Sequence, residues 1–326
     1  MKAIVIREFG GPEVLQLQEM EIPAISENQV LIKVAATSVN YADVLSRRGL
    51  YHAAGKPPLV PGLDVAGVIE KVGAAVTKFE AGQRVIAFPK KGSYAEFVAV
   101  DEDLAFILPD NVDFITAAAC PVVTFTAYKL LADVGRLQAG ESVLIHAASG
   151  GVGTTAIQLA KILGAGLVIG TVGSARKAPA ALEAGADHVL LLDESFDGEV
   201  NRLTEGRGVD LILDSIAGTV TKRSLACLAM YGRLVIFGSA SGEAGQIETT
   251  ELHASCRSVL GFSLGTTRNH HPELLKDTAE KVMTYLSDGS LKIKVGKTFR
   301  LEEAAEAHAF MESRQQTGKI VLLVNQ

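Results

Sequence analysis

The sequence predicts an α/β protein in two parts, a doubly wound parallel sheet and a partly open β-barrel. Three observations lead there. Val143-Leu144-Ile145 is an apolar run of strand length that passes through His146-Ala147-Ala148-Ser149 into Gly150, Gly151 and Gly153, after which Ala156, Leu159, Ala160 and Leu163 repeat at helical spacing. Beyond this stretch, short apolar runs alternate with helix-length segments, the pattern of parallel strands joined by crossover helices. The first ~120 residues instead carry many short strand-like runs separated by Gly and Pro, which reads as a barrel.

In chain order, residues 2–7, 29–39, 64–72, 84–88 and 94–100 read as strands, punctuated by Gly10-Gly11, Pro57-Pro58, Pro61-Gly62, Gly82 and Lys91-Gly92. Residues 41–48 form the early helix, and 113–132 a long apolar helical region broken at Pro121. The parallel sheet draws on strands at 143–145, 167–169, 189–192, 211–213, 234–237 and 259–262, with 175–184 a helix closed by Gly185. The tail reads as a helix at 271–286, a strand near 292–295, a helix at 301–313 and a strand at 319–324. It is too small to fold alone and is expected to pack back on the barrel. The expected domains are therefore 1–123 with 266–326, and 124–265 as an insertion.

A strand, a glycine turn and a helix start bring backbone N–H groups and a positive helix end to one place, where a pyrophosphate can bind. Glycine is needed because a Cβ would block both the turn and the approach of phosphate. The loop has two adjacent glycines and not the standard spacing, so an ordinary strand-to-helix turn is the alternative; the alternating strands favour a dinucleotide. An NAD site wants an acid about 20 residues past the glycines. Gly170-Thr171-Val172-Gly173-Ser174 offers none and is followed by Arg176 and Lys177. Those cations suit a 2′-phosphate, hence NADPH, unless they are simply solvated helix residues.

With 326 residues the chain can hold two full hydrophobic cores. No apolar stretch approaches the ~18 residues of a membrane span. A net charge of −6 without a basic block argues against nucleic acid. Cys120, Cys227 and Cys256 are scattered and odd in number, which fits a reducing cytoplasm better than a disulfide framework, and MKAIVIREFG has no signal-peptide core.

Six segments occur in one order along nearly the whole chain: SVNYADVLSRRGLY (38–51), PGLDVAGVIEKVG (61–73), AGQRVIAF (81–88), HAASGGVGTTAIQLAK (146–161), GTVGSARK (170–177) and ESRQQTGKIVL (312–322). On these segments the chain resembles the medium-chain dehydrogenase/reductases, and among them the zinc-independent quinone oxidoreductases. The resemblance implies a GroES-like catalytic domain, a Rossmann domain and an active site between them. It implies hydride transfer from NADPH to a quinone. Reduction of enones or enoyl thioesters is an alternative within the same chemistry. A non-catalytic, crystallin-like role in binding NADPH or RNA is an alternative of another class, and the acidic balance argues against RNA.

The resemblance also bears on metal. Zinc-dependent relatives carry Gly-His-Glu where this chain has Gly62-Leu63-Asp64, and leucine cannot coordinate zinc. The structural zinc loop expected near 88–93 is missing, Cys120 stands alone, and His270-His271 reads as a helix start. The expectation is no metal.

By the same resemblance Asn40, Asp43 and Tyr51 are the expected catalytic residues; Thr124 is expected with them from its place at the domain junction. From the residues alone, Asn40 could merely end a strand, Asp43 cap a helix and Tyr51 pack. Thr124 and Thr126 could bond their own helix. Expected cofactor contacts are Asn40, Thr126, Gly151, Val152, Thr171, Gly173, Ser174, Lys177, Phe237, Gly238, Ser239, Phe262 and Leu264, with Arg314 reaching the 2′-phosphate from the other domain. Leu45 and Leu192 stand where relatives can place tyrosines. The apolar run Ser258 to Leu264, SVLGFSL, reads as the last strand of the sheet; an edge of that character needs a cover, and in this family a second subunit supplies it, giving a homodimer.

Overall fold

A computed structural model describes residues 1–53, 55–90 and 92–324. Its strands, in chain order, are β1 (Lys2–Val5), β2 (Gln16–Glu19), β3 (Gln29–Val39), β4 (Val65–Val72), β5 (Arg84–Ala87), β6 (Phe97–Asp101), β7 (Ala105–Ile107), β8 (Ser142–Ile145), β9 (Leu167–Val172), β10 (His188–Leu191), β11 (Val209–Asp214), β12 (Leu228–Ile236), β13 (Ser258–Gly261), β14 (Val295–Arg300) and β15 (Lys319–Leu323). The chain divides into two compact units, Met1–Phe125 with Leu264–Gln326, and Thr126–Ser263.

The first unit is built on β3, which is long enough to serve three partners. Its beginning pairs with β6 (Val30 opposite Val100), its middle with β4 (Val34 opposite Gly67), and its end with β15 (Val39 opposite Ile320). Register shifts between Leu31 and Ile32 and between Val34 and Ala36 bend the strand, as bulges do, and let the sheet curl. The sheet runs β14-β15-β3-β4-β5-β7. The tail strands β14 and β15 thus belong to the same sheet as β3. Ile320, Val321 and Leu322 are all buried, because β15 is covered on both faces. Ile4, Ile6, Val39, Val44, Tyr94, Leu301 and Ala304 pack with Ile320 and Leu322 as one core.

The second unit is a six-stranded sheet, β10-β9-β8-β11-β12-β13, with every pairing parallel. Its central strands are apolar on both faces because crossover helices cover both sides. Val168, Ile169, Leu211, Ile212, Leu213, Leu234 and Val235 are all buried.

Several elements differ from the sequence reading. β12 starts at Leu228, not 234, because exposed Met230 and Tyr231, the latter at φ 62°, interrupt its apolar pattern. The short strands β2 and β7 carry too little periodicity to be seen. β14, expected at 292–295, lies at Val295–Arg300, where VGKTFR mixes charge with apolar residues. A helix at Leu264–His270 was not foreseen, since LGTTRNH combines glycine and two threonines of low helix propensity.

Candidate active site

In the first unit the site grows from the junction of β3 with the helix Tyr41–Arg47. Asn40 is the N-cap of that helix, in extended conformation. Asp43, one turn on, turns its Oδ2 back to accept the Asn40 N–H at 2.8 Å. The Asn40 amide is held at both ends, its Nδ2 donating to Asp64 Oδ2 at 2.7 Å and its Oδ1 accepting from Lys319 Nζ at 2.6 Å. Asp64, just before β4, also accepts the Ser38 hydroxyl at 2.5 Å and the Val122 N–H at 2.7 Å. Lys319, the first residue of β15, is buried and reaches Asp64 at 3.3 Å. An uncompensated ion in this interior would be costly, so the pair and its donors stand or fall together.

Asp43 differs. It is fully buried, and its Oδ1 has no partner among the described residues. With Tyr51, Leu59, Val60 and Leu63 it lines a small cavity of about 20 Å³. Burial pushes its carboxyl from 3.8 up to about 7; the Asn40 N–H opposes this, the Asp64 charge adds to it, and Lys319 and Arg268 oppose it. A group poised there can both release and regain a proton at neutral pH.

Arg268 belongs to the unforeseen helix Leu264–His270. The residue is 2% exposed, and its guanidinium donates to Pro89 O at 3.1 Å and keeps Nε without a partner among the described residues. Burial lowers its pKa, which Tyr51, Asp43 and Asp64 oppose. The Tyr51 phenol is raised by burial, lowered by Arg268 and raised again by Asp43. Its hydroxyl stands against Gly265, where an added Cβ would come within 2.3 Å and displace the phenol. Asp43, Tyr51 and Arg268 therefore form one electrostatic cluster. Thr124, expected to be catalytic, is buried and donates to Cys120 O of its own helix at 2.9 Å. The Cys120 thiol is buried, bonds Thr116 O at 3.1 Å and is pushed well up in pKa, a core residue.

In the second unit, β8 ends in a turn with Ala147 at φ 51°, and the helix Gly151–Ile162 follows with Gly150 as its N-cap. A Cβ on Gly153 would lie 2.4 Å from the Ala147 carbonyl, so the loop closes only on glycine. Gly151 and Val152 open the helix, where the first N–H groups have no intrahelical acceptor. Gly173 is exposed and Lys177 half-buried after β9. The Ser174 hydroxyl is buried without a partner among the described residues, an orphaned donor at the place where a 2′-phosphate was expected. Phe237 and Gly238 follow β12 and Phe262 follows β13, all half-buried, while Ser239 is exposed and Thr126 buried.

Thr171, expected among the cofactor contacts, is fully buried, and its hydroxyl lies 2.8 Å from His146 Nδ1. His146 Nε2 meets the Ser224 hydroxyl at 2.8 Å, and burial lowers the ring to about 4 against the opposing Asp214 charge. Leu264 and Arg314 lie in the first unit, the former buried, the latter exposed at φ 55° after the helix Ala304–Glu312. Among the described residues, no three His, Cys, Asp or Glu side chains gather as metal ligands.

Residues 26–110 match the family model of an alcohol dehydrogenase GroES-like domain, and residues 151–280 that of a zinc-binding dehydrogenase. The chain is 36% identical to the quinone oxidoreductase of Rattus norvegicus, over 99% of its own length and 98% of that protein. It belongs to the quinone oxidoreductase family of the medium-chain dehydrogenase/reductases. The solved structure of Escherichia coli quinone oxidoreductase complexed with NADPH is similar to it with a TM-score of 0.93 and 33% identity, covering 99% of this chain and 100% of that one. The synaptic vesicle membrane protein VAT-1 homolog of Danio rerio is 33% identical over 98% of this chain and 69% of that protein.

For a quinone oxidoreductase site, the sequence reading missed Lys319, Arg268 and the anchoring role of Asp64. A charged residue heading an apolar strand, as in GKIVLL and GLDVAG, was the available signal for the first and the last. Arg268 carried none.

Proposed function

We propose that this protein transfers a hydride from NADPH to a quinone and needs no metal. One observation carries the reading: Asp43, fully buried and with its Oδ1 unpartnered among the described residues, lines a small apolar cavity within a quinone oxidoreductase fold. NADPH, when bound, supplies the hydride. The chain's own residues hold it, place the acceptor and deliver a proton. We assign the pyrophosphate to the helix start at Gly151 and Val152, and the 2′-phosphate to Gly173, Ser174, Lys177 and Arg314. The orphaned Ser174 hydroxyl supports this. Phe237, Gly238, Ser239, Phe262, Leu264 and Thr126 are assigned to the rest of the dinucleotide. Asn40, its amide preset by Asp64 and Lys319, is assigned to the nicotinamide ribose.

Tyr51 bounds the acceptor and Asp43 gives the proton. A quinone suits this equipment because hydride addition leaves a delocalised oxyanion that asks only for a proton. Leu63, which offers no ligand, supports the metal-free reading. We further propose a cytoplasmic homodimer joined through β13, which ends the sheet and carries an apolar edge. No helix among the described residues is long and apolar enough to cross a membrane.

Steady-state turnover with NADPH and NADH against a panel of quinones and enones, before and after exhaustive chelation, tests the reading. Quinone turnover with NADPH, undiminished by chelation, is expected. Preference for enones, or loss on chelation with recovery on adding zinc, refutes the corresponding part.

A further inference from the structure

The space beside Asp43 is about 20 Å³, room for an oxygen atom of an acceptor but for no long substituent. A second and much larger cavity, about 600 Å³, lies against it in the same unit, and Leu59, Val60 and Lys90 line both. Interiors are packed closely enough that voids larger than a water are few. This one falls within the roughly 300–1,000 Å³ usual for small-molecule sites.

The lining of the larger cavity draws on β6, on the segment after β2 and on residues 58–60. Leu59, Val98 and Val100 are buried, Val60 and Ala99 half-buried and Met20 exposed, so the lining is apolar from the interior to the surface. Its charged side chains suit no ionic ligand. Lys90 is paired with Asp101 at 2.7 Å, Asp101 also accepts from Gln29 Nε2 at 2.8 Å, and Glu21 is an exposed carboxylate. An acid would therefore meet a cation already engaged and a repelling charge, whereas a neutral hydrocarbon chain meets only apolar surface. The shared wall is also fixed in place. Arg268 donates to the carbonyls of Pro89 and Lys90, at 3.1 and 3.5 Å, and so holds the turn that brings Lys90 between the two cavities.

We propose that this cavity holds the aliphatic side chain of the acceptor, so that the protein selects quinones carrying a long apolar tail over bare ones. The acceptor in this statement rests on the proposed function; the fit of the cavity to a neutral aliphatic chain does not. Continuity with the Asp43 cavity singles out this occupant. A ring whose oxygen reaches Asp43 must send a long substituent elsewhere, and the larger cavity opens directly across Leu59 and Val60. Burying one methylene is worth about 4-fold in binding, so three or four of them give about 10²-fold.

The probes are a dimethoxy-methyl-benzoquinone and the same ring carrying a decyl chain. The tailed quinone is expected to show a KM about 10²-fold lower with kcat unchanged, since the chain is held alike in the ground and transition states. Ala99→Phe fills the cavity, and Met20→Trp narrows it from its exposed side. Each is expected to cut the ratio of kcat/KM, tailed over bare, by at least ~10-fold. Where Ala99→Phe does not fold, as read by circular dichroism, Met20→Trp decides alone.

A wild-type protein indifferent to the tail, or a ratio unmoved in the folded variants, overturns the proposal and leaves hydride transfer to quinones standing. Calorimetric titration of substrate-free protein with the tailed quinone separates the two readings. Tail-dependent binding that the variants weaken, in a protein that reduces no quinone, supports the cavity and refutes the quinone reading. Decanol that binds without competing with the tailed quinone makes the cavity a separate lipid site, and that also overturns the proposal.

Discussion

Asp64 and Asp43 are both fully buried in the first unit, yet their surroundings fit them for opposite tasks. Asp64 accepts a hydroxyl, an amide and a backbone N–H, and an ammonium stands beside it. Asp43 accepts one backbone N–H, and its other oxygen is bare among the described residues. Burial alone therefore does not make a carboxyl reactive. The donors around it decide whether it anchors a neighbour, as Asp64 anchors Asn40, or holds an exchangeable proton beside a pocket.

The most direct way to break the contrast is to strip Asp64 of its cation. Lys319→Met should cost about 3–5 kcal/mol in denaturant unfolding at pH 7, because it leaves a buried charge unpaired. A loss below about 1 kcal/mol would mean that the pair is not the anchor we take it for.

Asp43→Asn should act with the opposite sign. The Asp43 pKa is raised on folding from 3.8 to about 7, so its contribution to stability is complete below 3.8 and is lost as pH rises through 7. The variant should gain up to about 4 kcal/mol at pH 8 and nothing at pH 4, while kcat falls about 10²-fold for want of a proton donor. Equal stability of the two proteins at pH 8 would show that Asp43 is not held protonated by its burial.

The second unit extends the comparison to a base. His146 is lowered on folding from 6.5 to about 4, so its contribution is present above 6.5 and lost as pH falls through 4. Thermal or denaturant unfolding followed from pH 7 to 4 should show a loss of about 3 kcal/mol that His146→Gln flattens. The smallest effect is expected at the surface. Lys177→Ala should cut the preference for NADPH over NADH about 10-fold, or ~1.4 kcal/mol, in fluorescence titrations. An unchanged ratio would return the 2′-phosphate to Ser174 and Arg314 alone.

What the sequence determined by itself was whatever is written in local period and residue type. The apolar runs at 143–145, 167–169 and 211–213 read as strands of a covered parallel sheet, and the glycines that follow 143–145 as a tight turn into a helix. The missing acid after β9 was equally plain, and so was Asp43 as a carboxyl at a helix start. Tertiary structure alone decided what these groups meet. Asp64 and Lys319 are 255 residues apart, and Tyr94 and His308 are 214 apart; each pair forms only because the tail returns to the barrel, β15 lying in register with β3 so that Ile320 faces Val39. That the Thr171 hydroxyl meets His146 was likewise decided only when β8 and β9 paired. Periodicity records which face of an element is buried, but the partner across that face, and with it the charge a buried group carries, is fixed only when distant segments pack.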